Sequence, residues 1–428
     1  MVSLSAHPHK LHNVLPEQGF GTPLACHLRG WIWPVRRAES GAILKREESV
    51  HMDHQERIGW IDNAKAIGMF LIVWGHTSGI DPDVEARIYA FHVPLFFFLA
   101  GTLVRPAHLS DGLAEWTRRN LRRLVVPYAF FWGLSYGFWL LQAILTNPAS
   151  LAGAARWTAP LAGLLYGTGE ALEVNVTLWF FPALFCTAML FWGVWRIRGR
   201  WCKASALAGC GLIGPALFGF SGVRLPWSLE PALVAVVFYA CGFVFARGFQ
   251  TPFGNKPVIR WSAAVVFAAV VIVVVRWNGR ADMNSMQLGN LALFYIGAFC
   301  GIAVVVLVAS SLPANRLCTA VARTTIVIFP MHLLAFRVFT GIAVFGFGVD
   351  KSFKDGSLGW SLLYTAAAMA LSYAFAIVLR RWVPWAIGSS RPGVSNMRLD
   401  AARPEAIAVR LPSAGALKSR GGSARGAW

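Results

Sequence analysis

Three histidines lie inside long apolar segments of this sequence. His76 lies near the end of the segment Ile58–Gly79, which reads IGWIDNAKAIGMFLIVWGH up to that residue. His92 lies early in the next segment, Ala86–Leu103, and His332 lies in TTIVIFPMHLLAF. An ionisable side chain is costly inside a membrane-length apolar segment, so each histidine is a candidate functional residue. Neutral imidazole can take a proton from a hydroxyl group, which is general-base chemistry.

His76 and His92 are expected to lie close together in the outer half of a membrane, because a short loop joins their segments. Gly75 beside His76 lets a backbone or a ligand approach closely. Both histidines are candidate catalytic residues, and hydrogen bonding within helix packing is the alternative.

His332 follows Pro330, which frees a backbone carbonyl and marks either a site or a simple kink. His332 is therefore a candidate substrate-binding residue.

One stripe of the first predicted helix carries ionisable residues. At about 100° per residue, Asp62, Lys65 and His76 fall on one face. His76 lies about 21 Å from Asp62 along the axis, at about 1.5 Å per residue. Asp62 and Lys65 are three residues apart, close enough to form an ion pair near the inner interface. Both are candidates for a catalytic role, and an ion pair that anchors the helix end is the alternative.

Four arginines lie at the cytoplasmic base of the third predicted span, in RRNLRRLVVPY. Guanidinium groups bind phosphate oxygens through paired hydrogen bonds, so the cluster is a candidate binding site for a nucleotide-like cofactor. An ordinary cytoplasmic anchor is the alternative reading. The residues are Arg118, Arg119, Arg122 and Arg123.

The longest loop on the other side, Thr146–Thr177, carries three polar residues. Glu170, Glu173 and Asn175 are candidates for an outer-facing substrate surface. Glu173 and Asn175 are the predicted substrate-binding residues of this loop.

Composition indicates a membrane protein. The chain has 428 residues, of which 56% are hydrophobic and 14% charged, whereas soluble domains carry about 25% charged residues. A spanning helix needs about 20 apolar residues, so the predicted fold is an all-α, polytopic integral membrane bundle of about ten helices. The predicted spans are Ile58–Gly79, Ala86–Leu103, Leu121–Leu145, Leu178–Trp195, Ala204–Phe220, Ala232–Ala246, Ile259–Val275, Leu288–Ser311, Thr324–Phe345 and Leu358–Leu379.

The basic residues predict the orientation of the bundle. With both termini in the cytoplasm, most Lys and Arg residues of the loops lie inside, which is the usual bias. The net charge of +19 does not indicate nucleic-acid binding, because the cations lie between apolar segments and form no basic domain. Seven cysteines occur without a C-x-x-C pair, so neither a metal site nor a disulfide framework is expected.

Three regions are predicted. Residues 1–56 contain no signal peptide and are expected to be a disordered cytoplasmic segment, with Met52 as a plausible true start. Residues 57–381 form the transmembrane domain. Residues 382–428 form a basic, disordered cytoplasmic tail that either contacts anionic membrane lipid or is simply solvated.

The sequence also resembles a known family. RIGWIDNAKAIGMFLIVWGH followed by FHVPLFFFLAG is similar to the opening of the membrane-bound acyltransferase-3 family, closest to its fucose 4-O-acetylase branch. RRNLRRLVVPY and LWFFPALF resemble two further motifs, and the resemblance covers about residues 57–381. The chain departs from the family's motifs by three small changes. It has Ala66 where the family usually has Gly, Val93 where Met is common, and Ala100 where Ser is common.

The resemblance implies an O-acyltransferase of the bacterial cytoplasmic (inner) membrane. It would transfer an acyl group, usually acetyl, from acetyl-CoA or another acyl-CoA to a hydroxyl of a saccharide or glycolipid acceptor. His76 would be the catalytic base or a transient acyl carrier, assisted by His92. Arg119 and Arg122 would contact the donor, and Trp179 would line the acceptor groove.

A transporter is the main alternative. Ten spans with intramembrane histidines also suit a proton-coupled transporter or flippase of a saccharide or lipid-linked intermediate. A transporter releases its substrate unchanged, whereas the enzyme leaves an ester that mild alkali removes. The sequence does not identify a protein partner.

Overall fold

The computed structural model describes residues 43–151, 153–248 and 256–388. The chain divides into the units Met1–Met52 and Asp53–Trp428, and the packing described below lies within the second. The described ranges contain no β-strand and form thirteen α-helices. These are α1 (Ile43–Gly75), α2 (Pro82–Tyr89), α3 (His92–Thr102), α4 (Leu113–Asn120), α5 (Val126–Thr146), α6 (Ala154–Tyr166), α7 (Phe180–Arg196), α8 (Arg200–Ser221), α9 (Leu229–Gly248), α10 (Pro257–Asn278), α11 (Leu291–Ser311), α12 (Arg316–Gly341) and α13 (Leu358–Trp382).

Short helices of other types connect or extend these elements. Two π-helical segments are Leu121–Val125 and Ile342–Gly346. The 3₁₀ helices are Pro106–Leu109, Pro148–Leu151, Val176–Trp179, Pro226–Ser228, Lys351–Lys354 and Pro384–Ile387.

Nine helical segments of the described ranges are long and apolar enough to cross a membrane, and the chain is an integral membrane protein. The first predicted span is not among them, because Asp62, Asn63 and Lys65 make that part of α1 less apolar. It nevertheless packs in the bundle, since Met69 and Val73 of α1 are buried beside side chains of α12 and α13. With α1 included, ten helical segments form the bundle.

The helices alternate in direction, which separates two ends of the bundle. The end where α1 finishes and α3 begins carries the histidines, and we call it the histidine end. The opposite end carries the cluster Arg118–Arg123, and we call it the arginine end. The start of α5 and the end of α13 share the arginine end, because Gly388 lies against the backbone of Arg123.

Helices extend past both ends of the region 57–381 that was predicted to form the transmembrane domain. Helix α1 begins at Ile43, within the segment 1–56 that was expected to be disordered. After α13, the 3₁₀ helix Pro384–Ile387 continues the ordered chain, and Ala386 and Ile387 are buried. Residues 1–42 and most of the tail, 389–428, lie outside the described residues.

The second predicted span is broken where the sequence predicted one helix. Helix α2 ends at Tyr89 and α3 begins at His92, with Phe91 in a non-helical conformation between them. Pro94 has no N–H group to donate to the carbonyl of residue 90, so it fits the first turn of a new helix better than the interior of a continuous one. The break places His92 at the start of α3.

A π-helical segment lies where the third span begins. Pro127 lacks the N–H group that would bond to the Arg123 carbonyl four residues earlier, and the preceding turn, Leu121–Val125, widens to a π-helix. Such bulges often occur at functional sites. This one carries Arg122 and Arg123.

Helices α3 and α9 cross at very short range through two glycines. A Cβ atom on Gly101 would clash with the carbonyl oxygen of Tyr239, and one on Gly242 would clash with the carbonyl oxygen of Phe98. Small residues at helix crossings let backbones approach closely within membranes. The crossing therefore holds α3, and with it His92, against the centre of the bundle.

Candidate active site

The three intramembrane histidines converge at the histidine end. The ring centroids of His76 and His332 lie 5.1 Å apart, and those of His76 and His92 lie 6.3 Å apart. The prediction that His76 and His92 lie close together is confirmed. His332, which is fully buried, joins them because α12 packs beside α1, with Ile328 and Ala335 against Met69 and Val73.

Each histidine is held in the same tautomer by a backbone carbonyl three or four residues before it in the chain. A backbone carbonyl can only accept a hydrogen bond, so the Nδ1 atom facing it must carry the proton, and the lone pair of the neutral ring then lies on Nε2. The Nδ1–O distances are 2.7 Å for His76 to Ile72, 2.9 Å for His92 to Ile88, and 2.6 Å for His332 to Phe329.

His332 is the most enclosed of the three. Its Nε2 atom is buried and has no hydrogen-bond partner among the described residues. Its ring lines none of the cavities described below, whereas His76 lines two of them. His76 is therefore the histidine with the widest access to a bound molecule.

An outer cavity of about 170 Å³ opens beside His76 and His92. Trp179, predicted to bind substrate, forms part of its wall. Two polar residues of the loop between α10 and α11, Asp282 and Asn284, form another part. The Oδ1 atom of Asn284 is buried without a partner in the described structure, so it is free to bind a ligand hydroxyl.

The sequence reading missed Asp282 and Asn284. The sequence marked these two residues only weakly, because their one distinguishing feature is a short polar stretch, ADMNSMQ, between two strongly apolar segments. The loop is closed by a bridge between Asp282 and Gln287, and Met283 and Met286 are buried beneath it. This packing brings the loop over the histidines.

A second cavity of about 150 Å³, the side cavity, lies on the other side of His76. Lys354 and Trp360 line it together with the hydroxyl-bearing residues Ser78, Ser361 and Tyr364. Ser361 accepts a hydrogen bond from the Trp74 indole at 2.7 Å. His76 thus forms a wall common to two cavities.

A charged cluster covers the outer cavity. The Arg280 guanidinium lies 3.7 Å from the centre of the Tyr89 ring and forms ion pairs with Glu85 at 2.9 Å and Asp282 at 3.4 Å. Partial burial lowers the pKa of Arg280, but Tyr89 and the two carboxylates outweigh it, so the pKa lies above its usual value. The Tyr89 ring in turn lies 4.7 Å from that of His92.

An inner cavity of about 140 Å³ opens toward the arginine end. Lys65 and Arg123 are its charged lining residues, and most of the remaining wall is apolar. Phe329 lines both the inner and the outer cavity, and its ring packs 5.2 Å from that of Phe180. One aromatic side chain therefore stands between a cationic inner cavity and the histidines.

The family model for acyltransferase family 3, described as an acyltransferase domain, matches residues 58–381. The chain belongs to this family. It is therefore a membrane acyltransferase with the histidine cluster inside the matched domain. Comparison with curated proteins and with solved structures found no match.

The predicted ion pair between Asp62 and Lys65 is absent from this acyltransferase. No ion pair of either residue occurs among the described side chains. Asn63, between them, donates to the carbonyls of Ala309 and Leu312 at the end of α11, both at 3.1 Å. This anchor sets the rotation of α1 so that Lys65 faces the inner cavity, and Asp62 is not among the lining residues.

The four predicted donor-binding arginines of the acyltransferase differ in their surroundings. Arg118 pairs with Glu115 at 2.7 Å, and Arg119 pairs with Asp111 at 2.8 Å. Arg122 is exposed and lines none of the three cavities described above. Arg123 is the member of the cluster that lines the inner cavity.

The predicted substrate-binding residues of the loop Thr146–Thr177 differ in their exposure. Asn175 is buried, and its amide donates to the Ser135 hydroxyl at 3.0 Å and to the Pro330 carbonyl at 2.8 Å. Glu173 is exposed and lines neither the outer cavity nor the side cavity. Glu170 pairs with the buried Arg224 at 3.3 Å. Asn175 therefore ties α5 to α12, because its amide donates both to Ser135 of α5 and to the Pro330 carbonyl of α12.

No group of three His, Cys, Asp or Glu side chains in the described ranges is arranged to hold a metal ion. The three histidines of the acyltransferase instead direct their Nδ1 atoms at their own backbones. The arrangement is suited to proton transfer through Nε2.

Proposed function

We propose that this membrane acyltransferase transfers an acetyl group from cytoplasmic acetyl-CoA to a hydroxyl group of a cell-surface or lipid-linked saccharide in the bacterial inner membrane. The observation that carries the proposal is the position of His76. Its ring lines both the outer cavity and the side cavity. The Phe329 side chain stands between the outer cavity and the cationic inner cavity.

His76 acts as the general base. Its Nδ1 proton is held by the Ile72 carbonyl, so Nε2 takes the proton of the acceptor hydroxyl. Acetyl-CoA supplies the acyl carbon, and the ester C–O bond forms as the thioester C–S bond breaks. His76 then returns the proton to the sulfur leaving group. His92, with its ring 6.3 Å away, assists by orienting the acceptor.

The inner cavity is suited to the donor. Its apolar wall accommodates an uncharged acyl-bearing arm, and Lys65 and Arg123 provide positive charge for polar or anionic parts of the donor. Phe329 at the inner end of the outer cavity keeps the two sides apart until both substrates are bound.

The outer cavity is suited to a sugar. Trp179 offers an aromatic face, while Asp282 and Asn284 offer hydrogen-bond acceptors for hydroxyl groups. This combination supports a saccharide acceptor, as does the resemblance to fucose 4-O-acetylases.

The proposal is tested by NMR of surface glycans from the parent cell and a strain lacking the gene. We expect alkali-labile O-acetyl signals to disappear in the mutant and to return with the wild-type gene. A transporter of a saccharide would instead change the amount of glycan and leave the acetyl content of each repeat unchanged. That second result would contradict the acyltransferase assignment of this glycan.

Removing the inner-cavity cations is expected to weaken donor binding. In Lys65→Met/Arg123→Gln protein, we expect the KM for acetyl-CoA to rise about tenfold, because charge-assisted hydrogen bonds contribute about 1.5–3 kcal/mol each and the sites are partly solvated. Initial rates at varied acetyl-CoA measure this change. Arg118→Gln is the control, because Arg118 already pairs with Glu115 outside the cavity; an equal rise there would contradict the donor site.

Removing the side-chain amide of Asn284, in the loop between α10 and α11, is expected to weaken acceptor binding. Asn284→Ala should raise the KM for the acceptor glycan about fivefold, by loss of one hydrogen bond of about 1 kcal/mol, with donor KM unchanged. Ser285→Ala, one residue along the same loop, is the matched control. A change in donor KM alone would contradict the acceptor assignment.

A further inference from the structure

A basic groove lies at the arginine end between α12 and α13. It has a volume of about 420 Å³. Three arginines line it, together with a tyrosine and two small polar residues, and these six are Asn315, Arg316, Thr319, Arg323, Tyr373 and Arg380. None of them has a role in the proposed transfer reaction.

Helical spacing brings the lining residues together. Arg316, Thr319 and Arg323 are spaced i, i+3 and i+7, which places them on one face of α12. Tyr373 and Arg380 are likewise seven residues apart on α13. Arg380 donates a hydrogen bond of 2.7 Å to the backbone carbonyl of Arg323, which ties the two helices and keeps its guanidinium at the groove.

Within the described residues, no carboxylate neutralises the positive charge of the groove. None of its three arginines forms an ion pair with a carboxylate among the side chains that the structure describes. Arg316 also lies in the first turn of α12, where free backbone N–H groups add partial positive charge. Several guanidinium groups beside a helix N-terminus form a strong phosphate-binding environment.

The groove is separate from the inner cavity. Thr325, Ile326 and Phe329 of α12 line the inner cavity. None of the residues that line the groove lines the inner cavity. A donor in the inner cavity therefore contacts other residues of α12 and does not fill the groove.

The surroundings of the groove face the membrane. Leu317 is 70% exposed and Ile377 is 54% exposed, on the same two helices. Tyr373, also exposed, lies about 10 Å from Arg380 along α13, at about 1.5 Å per residue, toward the apolar region. A molecule in the groove thus meets cations at one end and apolar surface at the other.

We propose that this groove binds the phosphate head group of an anionic phospholipid from the leaflet at the arginine end. The phosphate contacts Arg316, Arg323 and Arg380, and an acyl chain follows Tyr373 and Ile377 into the membrane. Membrane cations attract anionic lipid in general, but here two helices converge to form a defined site.

The test is native mass spectrometry of the full-length protein in a neutral detergent, titrated with phosphatidylglycerol or phosphatidylcholine. We expect one phosphatidylglycerol to bind at least about tenfold more tightly than phosphatidylcholine, a difference of about 1.4 kcal/mol. The triple variant Arg316→Gln/Arg323→Gln/Arg380→Gln should lose this preference.

The matched control removes three cations where α7 joins α8, at the same end, in Arg198→Gln/Arg200→Gln/Lys203→Gln protein. The control should keep the wild-type preference. An equal loss in both variants would show diffuse attraction and overturn the proposal. Inorganic phosphate that displaces phosphatidylglycerol at equal concentration would also overturn it, because the acyl chain would then contribute nothing.

Discussion

Replacing His76 by alanine is expected to lower acyl transfer by about 10²- to 10⁴-fold, the usual contribution of a positioned general base. The variant removes the one histidine that lines both the outer cavity and the side cavity. Incorporation of radiolabelled acetyl from acetyl-CoA into alkali-labile ester, in membranes that contain the acceptor glycan, measures the rate. The KM for acetyl-CoA should change little, because the ring lies outside the inner cavity.

Two further histidine variants sharpen this test. His92→Ala should reduce the rate less than His76→Ala, since His92 lines the outer cavity but not the side cavity. His108→Ala, in the 3₁₀ helix Pro106–Leu109 at the arginine end, should stay within about twofold of the wild type, as is usual for substitutions away from a site. If inserted His76→Ala protein retained the wild-type rate, the base assignment would fail.

The second large effect is structural. Gly101→Ala is expected to destabilise the protein by about 1–3 kcal/mol or more, because the added methyl group meets the backbone of α9 and forces the helices apart. Gly242→Ala should act in the same way from the opposite side of the crossing. Lower thermal unfolding temperatures in detergent, with a lower yield of folded protein, measure the change.

Gly133→Ala is the matched control for this crossing. Gly133 lies within α5, and a Cβ atom there meets nothing within 4 Å. Alanine has the higher helix propensity, so this variant should be neutral or more stable by up to about 1 kcal/mol. Equal destabilisation at Gly133 and Gly101 would mean that helical glycine, rather than the close crossing, controls stability.

The spans could be predicted from the sequence because their physical cause is local. A membrane requires long apolar helices, so composition within about 20 residues is sufficient to place most of them. The first span was found despite its polar residues, and its histidine proved to lie beside that of the next. Local composition also marked the arginine cluster, although it did not show which arginine faces a cavity.

Tertiary contacts decided the features that local patterns do not encode. Lys65 turns to the inner cavity because Asn63 is anchored on the end of α11, 246 residues away in sequence. Asn175 is drawn into the bundle by the carbonyl at the Pro330 kink, so it is a packing residue and not part of an outer surface. No local pattern reports which distant backbone group a side chain will satisfy.

The sequence by itself determined the class of this protein and the family to which it belongs, with His76 and His92 as neighbouring polar groups in adjacent spans. Those features follow from hydropathy and from short motifs. Only the tertiary structure decided that His332 joins the pair, that Asp282 and Asn284 close over it, and that Phe329 divides the inner from the outer cavity. Each depends on packing between helices far apart in the chain, and side-chain contacts across such distances are set by the whole bundle.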